Sequence, residues 1–108
     1  MQKTTTILLA GALALAGTNL FAQAKGDAAK GKEVFDQCSV CHNADSTEVK
    51  MGPGLKGLFK RPKLASGKPV SDATVSQQID AGGNGMPAYK DLLSPAEKAN
   101  VMAYLKTL

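Results

Sequence analysis

Cys38-Ser39-Val40-Cys41-His42 contains both cysteines and the only histidine of the chain. A Cys-x-x-Cys-His run is the pattern of covalent haem attachment, in which each thiol adds to one vinyl group and the adjacent imidazole reaches the iron from one face. The same cysteine spacing also serves a redox dithiol, half of a zinc site or a short-loop disulfide. A structural zinc site takes about four ligands, and no cysteine or histidine lies outside this run to complete one. A dithiol oxidoreductase expects a strand ahead of its motif, whereas Asp27 to Gln37 carries a helical pattern. Haem attachment is the reading that survives.

Upstream of the motif lies an export leader. Lys3 makes a basic start, Ile7 to Ala16 an apolar run, and Ala22-Gln23-Ala24 a small-x-small cleavage site. The run is about ten residues long, against the ~20 that span a bilayer, and the polar Thr18 and Asn19 lie just beyond it. The expectation is a secretory signal over 1–24, one domain over 25–108, no stable membrane insertion and a soluble product in the periplasm. The balance is modestly basic, 13 Lys+Arg against 9 Asp+Glu. No basic run interleaved with aromatics is present, which argues against nucleic acid.

A domain this small usually needs a staple. In an oxidising compartment that is normally a disulfide, but two thioethers leave no thiol for one. One covalent haem must then serve as staple and as centre of the core, and the apoprotein is expected to be largely unfolded. Burying several hundred Å² of porphyrin contributes on the order of 10 kcal/mol at ~25 cal/mol per Å².

Between leader and motif, Asp27 is an N-cap, and Ala28, Gly31, Val34, Phe35 and Cys38 fall near one helical face. Gly31 costs ~1 kcal/mol inside a helix relative to Ala, which suggests close approach of a second helix. Ser94-Pro95-Ala96-Glu97 combines an N-cap, a first-position proline and a capping-box glutamate, opening a helix expected to run to about Thr107. Its stripe is Val101, Tyr104, Leu105 and Leu108, and Val101 and Tyr104 are expected to clasp Gly31 and Phe35. Ser71 caps a further helix over Asp72 to Ala81, with Val75 and Ile79 inward and Gly82-Gly83 ending it. Met51-Gly-Pro-Gly-Leu55 is a turn, Leu58 and Phe59 are a small apolar group, and Lys60 to Pro69 is a basic loop. With no period-two strand, the chain reads as all-α with long loops.

A His-ligated haem iron has a sixth position, and its occupant separates electron carriers from oxygen binders and peroxidases. Met102 flanks the packing stripe and Met51 belongs to the loop beside His42. Met86 sits in Gly82-Gly-Asn-Gly-Met86-Pro-Ala-Tyr89, where glycines and a proline favour an irregular backbone able to lay a side chain over the ring. A methionine packed as core filler is the alternative. Without that ligand an open site would bind small gases or reduce peroxide. A bare Cys-x-x-Cys domain would instead have a structural or maturation role.

These residues together resemble a class I cytochrome c. The similarity runs from the helix ending in Cys38, Cys41 and His42, through Gly52-Pro53-Gly54-Leu55 and Gly57-Leu58-Phe59-Lys60-Arg61, to Gly85-Met86-Pro87 and Ala103-Tyr104-Leu105. It implies an all-α cytochrome c fold in which the N- and C-terminal helices cross beside one covalent haem c. It further implies that the Pro53 carbonyl accepts the imidazole N–H of His42, that Leu55 packs on the ring, that Arg61 neighbours a propionate, and that His42 and Met86 ligate the iron. The span from His42 to Met86 is shorter than in mitochondrial members and resembles small bacterial carriers, and tryptophan is absent.

The implied function is that of a monomeric electron carrier, not an enzyme. With two strong protein ligands the iron has no open site and neither ligand need leave on redox change. Lys50, Lys56, Lys60, Lys63, Lys68 and Lys90 would steer it to redox partners with acidic docking surfaces.

Overall fold

The computed structural model describes residues 25–108, so the expected leader over 1–24 lies outside the described residues. Three α-helices and one 3₁₀ turn follow in order: α1 Ala28–Phe35, η1 Leu58–Lys60, α2 Asp72–Ala81 and α3 Pro95–Leu105. Among the described residues there are three isolated β-bridges and no named strand.

Each helix begins where side-chain chemistry dictates. The Asp27 carboxylate accepts the N–H groups of Ala29 and Lys30 at 2.9 and 3.2 Å. Ser94 and Glu97 form the expected reciprocal box, with Ser94 Oγ accepting the Glu97 N–H at 3.1 Å and Glu97 Oε1 the Ser94 N–H at 3.0 Å. Ser71 builds an equivalent box with Thr74, so a hydroxyl does the work usually given to a carboxylate or amide.

Two helices stop short of their expected ends. α1 closes at Phe35 because that carbonyl accepts both the Cys38 and the Ser39 N–H, at 2.7 and 2.9 Å, tightening the chain into turns. α3 closes at Leu105 because the Thr107 N–H reaches back only to the Tyr104 carbonyl, and the Thr107 hydroxyl takes the same oxygen at 2.6 Å. A hydroxyl competing for a helical carbonyl ends regular structure in this way.

α1 packs across α3 through Gly31. A Cβ added there would run into the backbone carbonyl of Asn100 and come within 2.8 Å of the Tyr104 Cβ. The Phe35 and Tyr104 rings lie 5.3 Å apart, tilted by 57°, and the Asp27 N–H donates to Asn100 Oδ1 at 2.8 Å. Tyr104 thus takes the contact expected of it, whereas Asn100 rather than Val101 closes on Gly31. One residue along a helix is a rotation of about 100°, which leaves Val101, at 2% exposure, for the core. That core is Phe35, Leu55, Leu58, Val75, Leu93, Val101 and Leu105.

Because the Asn100 carbonyl belongs to helix backbone and cannot rotate aside, Gly31→Leu is expected to destabilise the folded protein by about 3 kcal/mol, at the upper end of overpacking costs. Chemical denaturation of the haem-loaded protein measures this, and an unchanged midpoint would refute the crossing.

Candidate functional site

Among the described residues, all seven buried apolar side chains line one cavity of about 560 Å³. Cys38, Cys41, His42, Pro53, Leu55, Arg61 and Met86 line the same space. Residues separated by as many as 48 positions in sequence, from Cys38 to Met86, therefore meet at one site. A more open groove of about 630 Å³ lies against α2 and α3, but it holds none of these residues.

The cysteine side is built locally. The Cys41 and His42 N–H groups donate to the Cys38 carbonyl at 3.1 and 3.0 Å, forming a tight turn whose two cysteines line the cavity. Burial, then the neighbouring Cys41, pushes the Cys38 thiol above its ordinary range, so the group meets the cavity neutral. Tyr89 is pushed up as well, by burial first and then by the two cysteines. Thioether formation would leave Cys38 with no proton to titrate and would remove the cysteines' share of the effect on Tyr89.

The imidazole is held from behind. His42 Nδ1 lies 2.8 Å from the Pro53 carbonyl oxygen, a geometry in which Nδ1–H donates and Nε2 keeps its lone pair. Such a bond selects the tautomer, orients the ring and strengthens it as a donor. The turn carrying Pro53 is fixed by Gly52 N–H to the Cys41 carbonyl at 2.8 Å and Leu55 N–H to the Asn43 carbonyl at 2.7 Å. Leu55 is buried against the cavity. Arg61 contributes beyond the cavity wall: its Nη2 donates to the carbonyls of Gly54 and Lys56 at 2.8 and 2.6 Å, clamping the same turn.

Met86 arrives by an irregular path. Gly82, Gly83, Asn84 and Gly85 have consecutive positive φ values of 62, 114, 52 and 89°, a region that glycine occupies freely and asparagine more readily than other residues. Gly83 and Met86 exchange backbone hydrogen bonds at 2.9 and 3.0 Å, closing the loop. Met51, in contrast, is 81% exposed, with its sulfur 3.9 Å from Cys41 Sγ at the cavity rim. Met102 packs against the core and lines the other groove.

Sequence reasoning missed Gln78. Its Nε2 donates to the Gly82 carbonyl at 3.1 Å and approaches Met86 Sδ at 3.7 Å. The signal was present, since Val75, Gln78 and Ile79 follow helical spacing and Gln78 is the polar member of an inward stripe. Leu93 was also missed, and its exposed neighbour Leu92 gives no periodicity by which to choose between them.

The site fits haem. Its walls are the apolar core, its donors are an oriented imidazole and a thioether, and two thiols stand beside them. If enclosed and dry, a space this large would cost on the order of 13 kcal/mol at ~24 cal/mol per Å³, as much as a whole domain's stability.

The family model described as Cytochrome c matches residues 28–108. The chain is 34% identical over 92 residues to cytochrome c2 iso-1 of Magnetospirillum molischianum, covering 68% of this chain and 92% of that protein. It is 37% identical over 93 residues to cytochrome c6 of Picosynechococcus sp., covering 82% and 77% respectively. The solved structure of cytochrome cH from Methylobacterium extorquens superposes with a TM-score of 0.59 at 27% identity, over 77% of this chain and 100% of that one. With nearly all of its described residues matched, the chain belongs to the cytochrome c family, whose members are haem electron carriers rather than enzymes.

Proposed function

We propose that the protein is an exported, periplasmic carrier of single electrons, built around one covalent haem c with His42 and Met86 as axial ligands. The observation that carries this reading is the convergence of Cys38, Cys41, His42 and Met86 on one apolar cavity. No helix of the described residues is long and apolar enough to cross a membrane, in keeping with a mobile carrier.

Haem held in this cavity supplies a one-electron Fe(III)/Fe(II) couple. Cys38 and Cys41 would fix it covalently, and His42 Nε2 is free to donate because Nδ1 is engaged by Pro53. Met86 would close the remaining axial position, leaving no site for substrate. Its thioether favours the reduced state, and the apolar wall of Leu55, Leu58, Val75 and Leu93 disfavours added positive charge. Both raise the potential. Gln78 acts in the other direction: its amide lies 3.7 Å from the Met86 sulfur and its shorter bond, 3.1 Å, goes to the Gly82 carbonyl, so its main electrostatic effect is to make the wall more polar.

The cysteine rim would be the docking edge. Val40, Val49 and Met51 are exposed there, and Lys50 Nζ donates to the Ser39 carbonyl at 3.1 Å, holding a cation beside the motif. Acidic partners are favoured by such a rim.

Replacing Cys38 and Cys41 together by serine is expected to abolish covalent attachment and leave the chain largely unfolded. Mass spectrometry and far-UV circular dichroism of the exported product check this, and a helical, cooperatively folded apoprotein would refute the role of haem as the core. Met86→Ala should give a five-coordinate or water-ligated ferric spectrum without the methionine-to-iron absorption band. Gln78→Val should retain that band while the midpoint potential rises by on the order of 50 mV, the equivalent of about one kcal/mol for one electron. Electron transfer to an acidic partner should slow severalfold between low and physiological ionic strength. A rate independent of salt would remove electrostatic steering from the reading.

A further inference from the structure

Gly52 stands directly against the His42 ring. A Cβ built on Gly52 would lie 2.5 Å from His42 Cε1, 2.9 Å from Nδ1 and 3.1 Å from Nε2, and these ring atoms are its three nearest neighbours. The ring would have to recede until the contact reached the ordinary 3.4 Å or more. Conformation does not explain a glycine here, because Gly52 is not among the positive-φ residues. Only the missing side chain does.

The turn cannot retreat in place of the ring. The Gly52 N–H donates to the Cys41 carbonyl at 2.8 Å, and the Gly52 carbonyl accepts the Lys50 N–H at 3.0 Å. The following carbonyl, that of Pro53, is the one that holds His42 Nδ1. Both polar groups of Gly52 are therefore committed, and one of them is bonded to the residue adjacent to the histidine. An added methyl group would move the imidazole, turning Nε2 and stretching the Nδ1 bond.

We infer that Gly52 is a positioning residue for the axial imidazole: its bare Cα is the backstop that sets the ring's rotation, while Pro53 sets its tautomer. This rests on the proposal that His42 ligates the iron. Two constraints are needed because a single hydrogen bond at Nδ1 leaves the ring free to swing about that bond. The space beside the Nδ1–Cε1–Nε2 edge, too narrow for a methyl group on Gly52, limits this freedom.

Gly54 provides the control. A Cβ there would meet the Ser46 carbonyl and come within 2.5 Å of the Thr47 carbonyl carbon, in the same turn but away from the ring. The experiment compares haem-loaded wild type, Gly52→Ala and Gly54→Ala by ferric electron paramagnetic resonance and by NMR of the His42 ring protons, alongside denaturation midpoints. Both variants should lose stability, but only Gly52→Ala should change the g anisotropy and the ring-proton shifts. Unchanged spectra in Gly52→Ala, or the same change in Gly54→Ala, would overturn the inference. If Gly52→Ala does not accumulate as holoprotein, wild type decides: a strong cross-relaxation peak between the Gly52 Hα protons and His42 Hε1 supports the backstop, and its absence overturns it. Failure of the ligand assignment shows separately, as a wild-type ferric signal without imidazole coordination.

Discussion

Every buried apolar side chain among the described residues faces the same cavity. Among the described residues no second cluster lets the helices bury apolar surface against one another alone, so the hydrophobic effect that ordinarily holds a small domain together acts here through whatever fills that space. The α1–α3 crossing does not replace it, since it rests on close backbone approach at Gly31, the Asp27–Asn100 hydrogen bond and one tilted aromatic pair, besides side chains that themselves line the cavity. Exposed pairs such as Lys106 with Asp72, 2.8 Å apart, add little in water. The thioether chemistry expected of the cysteines is thus also the folding chemistry. A filler that could dissociate would take the core with it.

The glycines serve two physical roles, which coincide at Gly82, where φ is positive and a Cβ would also meet the Met86 and Pro87 backbone. Gly82, Gly83 and Gly85 supply backbone conformations that carry the chain from α2 to Met86. Gly31, Gly52 and Gly54 have ordinary φ values and serve only by lacking a side chain, the first at the helix crossing and the other two in the turn behind His42. A chain that must surround a flat group with few residues uses turns of both kinds. Where the backbone bends sharply it needs freedom in φ, and where two segments press together it needs an absent Cβ.

How much was legible in the sequence depends on the range of the interaction. The motif, the caps at Asp27, Ser71 and Ser94, and the span of α2 are decided within a few residues, and all were readable. So was the need for close approach at Gly31, but not its partner: choosing Asn100 over Val101 requires the rotational setting of α3 against α1, which a stripe about 100° wide does not fix. Gln78 was missed although it shares the inward stripe of Val75 and Ile79, because helical spacing alone does not say which polar residue on a stripe meets the Gly82–Met86 loop. Leu93 was missed because it is held in an irregular turn, its N–H on the Tyr89 carbonyl at 3.1 Å, where no period applies.

The same distinction separates the two sides of the cavity. The His42 side is secured by bonds within one segment: Cys38 to His42, Cys41 to Gly52, His42 to Pro53 and Arg61 to Gly54. The Met86 side is closed locally by the Gly83–Met86 bonds and is in addition secured against the helices, with the Tyr89 and Lys90 N–H groups on the carbonyls of Ile79 and Asp80 at 2.9 and 3.3 Å, and Asp80 in turn paired with Lys98 of α3 at 2.7 Å. That pair is largely shielded, with side chains 28 and 29% exposed, so it is screened less than a surface pair. The methionine therefore depends on how α2 and α3 are assembled, while the histidine depends on its own turn.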